Sequence, residues 1–171
     1  MRQPGFYGGG AAPAAPTIIQ PAYADATVGV GVWPTINAAT FTRFEVPVQT
    51  VIRYFNMWVQ VQSGNINAGV ASVVSASATT VTYTVVASTG SIACPAGGAQ
   101  RLDLGTTTLT PGAYVMFLWA DNTTFSTLHG VTAGLQASRL TFNGVYASGV
   151  WASGTATTSG RYISGVSLEA A

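Results

Sequence analysis

The chain is predicted to be all-β: an antiparallel two-sheet sandwich, jelly-roll-like, behind an extended N-terminal arm. Three observations predict this. From Ala26 onward Val, Thr, Tyr, Phe and Trp are abundant, while Lys is absent and Glu occurs only at 45 and 169, so helix formers are scarce. Apolar residues recur at every second position in several runs, which is the spacing of a strand with one dry face. Turn dipeptides such as Pro111-Gly112 and Asn143-Gly144 interrupt these runs at short intervals.

Residues 1–24 form the arm. Its text, GFYGGGAAPAAPTIIQPAYA, mixes flexible Gly with stiff Pro and shows no period of 2 or 3.6, so it builds no core of its own. Its anchors are Phe6, Tyr7, Ile18, Ile19 and Tyr23, docking either on another chain or back over its own domain. Residues 25–171 form one β-domain, of ordinary size for a single core.

Within that domain Val28, Val30 and Val32 alternate, and so do Phe44, Val46 and Val48, with Pro47 marking an edge or a strand end. The run from Thr50 to Gln62 is the clearest strand. Strict alternation places Val51, Arg53, Phe55, Met57, Val59 and Val61 on one face, with Ile52, Tyr54, Asn56, Trp58, Gln60 and Gln62 on the other. Ser63-Gly64-Asn65 turns the chain into a returning strand at Ile66, Ala68 and Val70. Further strands fit Thr80 to Ala87, Gln100 to Leu104, Ala113 to Ala120, Leu135 to Phe142, Val145 to Val150 and Tyr162 to Leu168, with Asn143-Gly144 read as a hairpin turn. The run AYVMFLWA at 113–120 is apolar on both faces. A strand of an open sandwich needs one dry face, so the second, carrying Val115, Phe117 and Trp119, is expected at a contact with another subunit or with the arm.

Composition narrows the function classes. Charged residues make up 6% of the chain, against roughly a quarter in average soluble proteins, and the formal net charge is +1. A neutral polar surface of this kind suits life inside an assembly more than free dispersal. The six basic residues, Arg2, Arg43, Arg53, Arg101, Arg139 and Arg161, are scattered singly, and no cluster exists to neutralise phosphates, so a nucleic-acid partner is not expected. No apolar stretch approaches the ~18 residues of a membrane helix, so no membrane partner is expected. The N-terminus, broken by Gly8-Gly9-Gly10, Pro13 and Pro16, lacks the compact apolar core of a secretory signal, which leads to an expectation of synthesis in the cytoplasm.

The run Arg101-Leu102-Asp103-Leu104, followed by Leu109-Thr110-Pro111-Gly112-Ala113-Tyr114 and the apolar strand up to Asp121-Asn122, resembles the β-sandwich modules of bacteriophage capsid-decoration, head-fibre and tail-fibre proteins. The resemblance covers about residues 40 to 125, and Ser159 to Leu168 is similar to the last strand of such modules. It implies a virion structural protein, localised to the virion, that self-associates, often as a homotrimer, and contacts other virion proteins of capsid or tail.

Little in the sequence suggests chemistry. Asp25, Glu45, Asp103, Asp121 and Glu169 are scattered, and no two are close in sequence. Cys94 is the only cysteine and His129 the only histidine, so neither a disulfide nor a cysteine-based zinc site is available. Asp121-Asn122-Thr123-Thr124 reads as a turn more readily than as a calcium loop, which wants six or more oxygens. No enzyme, cofactor or metal site is expected. The competing class is sugar binding: Asn56, Trp58, Gln60 and Gln62 share one strand face, combining an aromatic platform with amides that read hydroxyls, and Trp151 and Trp33 are further platforms. A host glycan would be the ligand in that reading.

Overall fold

The computed structural model describes residues 18–19, 28–33, 35–131, 141–158, 161–163 and 166–171. These contain strands and no helix: β1 (Ile18–Ile19), β2 (Val28–Val32), β3 (Ala38–Val46), β4 (Thr50–Val61), β5 (Asn65–Ala76), β6 (Thr80–Ser88), β7 (Ile92–Ala93), β8 (Gly98–Leu109), β9 (Gly112–Ala120), β10 (Ser126–Val131), β11 (Thr141–Val145), β12 (Ser153–Thr158), β13 (Arg161–Ile163) and β14 (Ser167–Ala170). All pairings are antiparallel. The all-β, two-sheet architecture is therefore as the sequence predicts.

The first sheet is centred on β4, which pairs with β8 along one edge and with β14 and β10 along the other; β1 extends β14, while β2 and β13 flank β10. The second sheet closes on itself. Its ring runs β6, β12, β11, β3, β9, β5 and back to β6, with β7 paired to the start of β5. Local alternation gives no sign of this closure, because it depends on pairings between residues as distant as Phe142 with Phe41 and Thr155 with Thr82.

Closure explains β9. Its even positions, Tyr114, Met116, Leu118 and Ala120, pack with Ile66, Ala68 and Val70 of β5 against Ile52, Phe55, Met57 and Val59 of β4 and Leu102 and Leu104 of β8. Its odd positions, Val115, Phe117 and Trp119, point into the ring with Phe41, Tyr83, Val81, Ala71, Phe142 and Ala156. Both faces are dry, but the chain covers both itself. The expected subunit contact at Val115, Phe117 and Trp119 is thus corrected: Val115 and Phe117 are 0% exposed inside the barrel of one chain. Aromatic rings fill that interior, Phe41 lying 4.7 Å from Tyr83 and 5.8 Å from Phe117 between centroids. The segment between β11 and β12 packs at one end, where the Trp119 indole donates to the Tyr146 carbonyl and the Asn67 amide to the Gly149 carbonyl.

Two local expectations change. β4 does not alternate strictly: its ladder with β8 shifts between Ile52 and Tyr54, so Ile52 and Phe55 both face the core while Val51 is exposed, and Val61, on the core side by parity, is exposed at the end of the strand. Opposite the shift, Gly105 of β8 adopts φ +75°, a left-handed conformation that glycine takes without a Cβ clash and that marks a bulge. Asn143-Gly144 is not a turn. It lies within β11, and a Cβ on Gly144 would fall 2.5 Å from the Tyr146 hydroxyl, so the glycine admits the tyrosine ring. The predicted last strand is two, β13 and β14, and most of the predicted strand from Leu135 lies outside the described residues. Pro47 does end a strand, followed by an exposed Val48.

Candidate functional site

The outward face of β4 gathers most of the chemistry the described residues offer. Alternation beyond the bulge turns Tyr54, Asn56, Trp58 and Gln60 away from the core. Register then supplies their neighbours: Tyr54 lies between Asp103 of β8 and Glu169 of β14, and Asn56 between Arg101 and Ser167. The Arg101 guanidinium carbon sits 3.5 Å from the Tyr54 ring centre, and its Nη2 donates to Glu169 Oε1 at 2.7 Å. The Asn56 amide donates to the other Glu169 oxygen at 3.1 Å. Arg53 holds Asp103 at 2.9 Å, its own guanidinium carbon 5.1 Å from the same ring.

Electrostatics follow from these contacts. The hydrogen bond from Arg101, then that from Asn56, holds the Glu169 carboxyl below its ordinary value; Arg53, then the Gly105 N–H, does the same for Asp103. Arg101 and Arg53 are shifted upward by the same partners, Glu169 and Asp103. These are compensated, solvent-facing ions with no proton to exchange near neutral pH, an arrangement suited to contact and not to acid–base catalysis.

Trp58 is 45% exposed on this face, opposite Ala99 of β8, whose methyl leaves the indole open. Gln60 is exposed beside it along the strand. Asn56, Trp58 and Gln60 are therefore brought together as the sequence predicts, although the Asn56 amide is already engaged with Glu169 and Ser167. Trp151 is elsewhere: half-buried, it stacks on Tyr146 at 4.4 Å and 9°, so another ring occupies one of its faces. Trp33 is core, its indole donating to the Ala38 carbonyl.

Of the arm anchors, Ile18 and Ile19 form β1 and pair with Glu169 and Leu168, extending the chain's own first sheet; Phe6, Tyr7 and Tyr23 lie outside the described residues. Cys94 is buried, and burial pushes its thiol pKa up, away from a reactive thiolate. Asp121 and Asn122 form a turn in which the Asn122 side chain accepts the Thr124 and Phe125 N–H groups. Among the described residues no group of three or more His, Cys, Asp or Glu side chains converges, and no helix is long and apolar enough to cross a membrane. A cleft of about 360 Å³ opens where β11 and β12 diverge, lined by Thr35, Asn143, Val145, Thr155 and Thr157 without a charged side chain.

Sequence reasoning missed the Tyr54–Arg101–Glu169 cluster. Alternation puts Tyr54 on the outward face, but its partners are 47 and 115 positions away, and only the register of β8 and β14 joins them. The chain matches no protein-family model, no curated protein and no solved structure.

Proposed function

We propose that the chain is a structural subunit of a bacteriophage virion, a capsid-decoration or surface-appendage protein that works by docking to neighbours through its arm and its β-domain. One observation carries the assembly part of this reading. Each described arginine side chain is already ion-paired, Arg43 with Glu45, Arg53 with Asp103 and Arg101 with Glu169, while Asp121 is bonded by Asn65 and Asn122. What remains exposed includes Ile36, Val48, Val51, Val74, Val86, Val145 and Val150. A surface with its charges cancelled and β-branched residues outward gains by association, at roughly 25 cal/mol per Å² of apolar area before ordering costs. The virion attribution rests on the likeness of the 101–122 and 159–168 text to phage β-modules. Gradient-purified particles from the source should contain the chain in many copies per particle, and deleting residues 1–17 should abolish its incorporation. Particles that lack the chain would overturn the proposal.

The exposed indole of Trp58 beside Gln60 favours a second reading, glycan recognition by the outer face of β4. A glycan array with binding lost in Trp58→Ala supports it; no binding, or binding that survives the substitution, removes it.

A further inference from the structure

We infer that β8 is a self-complementary edge through which two copies of the chain pair antiparallel about Leu102, joining their first sheets across a two-fold axis. The inference deepens the assembly reading proposed above and rests on it.

Among the described residues β8 hydrogen-bonds to β4 alone, although it is one of the longest strands at 12 residues. No described strand pairs with its other edge. Such an edge presents a row of backbone donors and acceptors, a ready template for another strand.

The direction of those groups can be assigned. The Thr127 hydroxyl of β10 donates to the Trp58 carbonyl, so Trp58, and with it Asn56 and Tyr54, turns its peptide groups toward β10 and β14. Phe55, Met57 and Val59 then face β8 and bond Leu102, Gln100 and Gly98, their partners in register. Ala99, Arg101 and Asp103 therefore aim their N–H and C=O groups out of the sheet. At the next outward position the Gly105 N–H is already taken by the Asp103 side chain at 2.8 Å, and the bulge begins, so the open ladder ends there.

In an antiparallel pair, outward-bonding residues must oppose outward-bonding residues, which leaves few registers. Centred on Arg101, the pairing sets arginine against arginine; centred on Asp103, aspartate against aspartate. Centred on Leu102, it sets each Arg101 against the other copy's Asp103, twice over, with both backbone bonds made in each pair. Like charges directly opposite destabilise a ladder and opposite charges stabilise it, so charge favours the Leu102 register over those centred on Arg101 and Asp103, and over one centred on Gln100, which sets Arg101 against Ala99 and gains no ion pair. Asp103 is about half exposed and has room for a second cation beside Arg53. Leu102, 8% exposed in one chain, meets its own copy at the axis. A charged edge commonly deters pairing; here the alternating signs deter the registers centred on Arg101 and on Asp103 and favour the one centred on Leu102.

Cysteine variants report the register directly, since both positions are exposed and the native Cys94 is buried. Arg101→Cys and Asp103→Cys chains are oxidised separately and as a mixture, with the wild type as control, and the wild-type mass is read by light scattering. The expected result is a wild-type mass twice 17.5 kDa and a cross-linked dimer in the mixture but in neither variant alone. If the wild type associates yet cross-links form within a single variant, or in no sample, the β8 contact is wrong and the assembly reading stands. A three-fold mass likewise overturns the two-fold contact alone. A wild type that stays monomeric at every concentration overturns the β8 pairing, while the docking reading falls only if purified particles lack the chain.

Discussion

Arg101 crosses β4 to reach Glu169, passing its guanidinium over the ring of Tyr54 at 3.5 Å. Three strands are thereby tied on their solvent face by one side chain, and the tie depends on the ionisation of Glu169. Because the folded carboxyl titrates below its ordinary 4.5, its contribution to stability is present in full at neutral pH and is lost as pH falls through the folded value. An NMR titration of the Glu169 side chain should give a midpoint below 4.5, and Arg101→Met should raise it. An unchanged midpoint in the variant would contradict the contact.

The barrel interior makes Phe117 a stability residue. Phe117→Ala empties a site bounded by Phe41 and Trp151 and should cost about 3–5 kcal/mol in urea unfolding. The mass of the folded fraction should not change. A variant of wild-type stability and altered mass would return Phe117 to a subunit contact.

Four tryptophans differ sharply in access. Trp33 and Trp119 are buried, Trp151 is stacked on Tyr146, and Trp58 is open. Acrylamide should therefore quench one accessible component of the fluorescence, and Trp58→Phe should remove it while changing stability by less than about 0.5 kcal/mol, as for an ordinary surface site. A quenchable component that persists in the variant would place the open indole elsewhere.

Gly105 isolates the effect of backbone conformation. Nothing lies within 4 Å of a Cβ built there, yet its φ is +75°, so a substitution meets conformational strain and no steric clash. Gly105→Val should destabilise by about 1–2 kcal/mol, and Gly105→Asn by less, because asparagine tolerates the left-handed region. Equal losses for both would show that the bulge does not fix the conformation.

How far the sequence could be read is clear from particular residues. AYVMFLWA reveals that β9 is dry on both faces, since eight apolar neighbours leave no wet side. It does not reveal what covers them, because one cover is assembled from β4 and β8 and the other from β6, β11 and β12, through pairings decided far along the chain. Trp58 is legible as an outward aromatic, since the period of two survives beyond the bulge. Arg101 and Glu169 are legible only as scattered charges until register sets them around Tyr54. Asn143-Gly144 misleads: its glycine serves a side chain lying across the strand, and the dipeptide reads the same whether it turns or runs straight.

A closed ring of strands has no first or last member, and that consequence reaches past the packing of its aromatics. Half of the molecule is finished in a topological sense: among the described residues only the short β7 joins the ring, at the start of β5. The long edge open to strand addition, β8, lies in the other layer. Two such layers meeting about a two-fold axis at β8 would use that edge up, so this contact by itself gives a discrete pair in place of an endless ribbon.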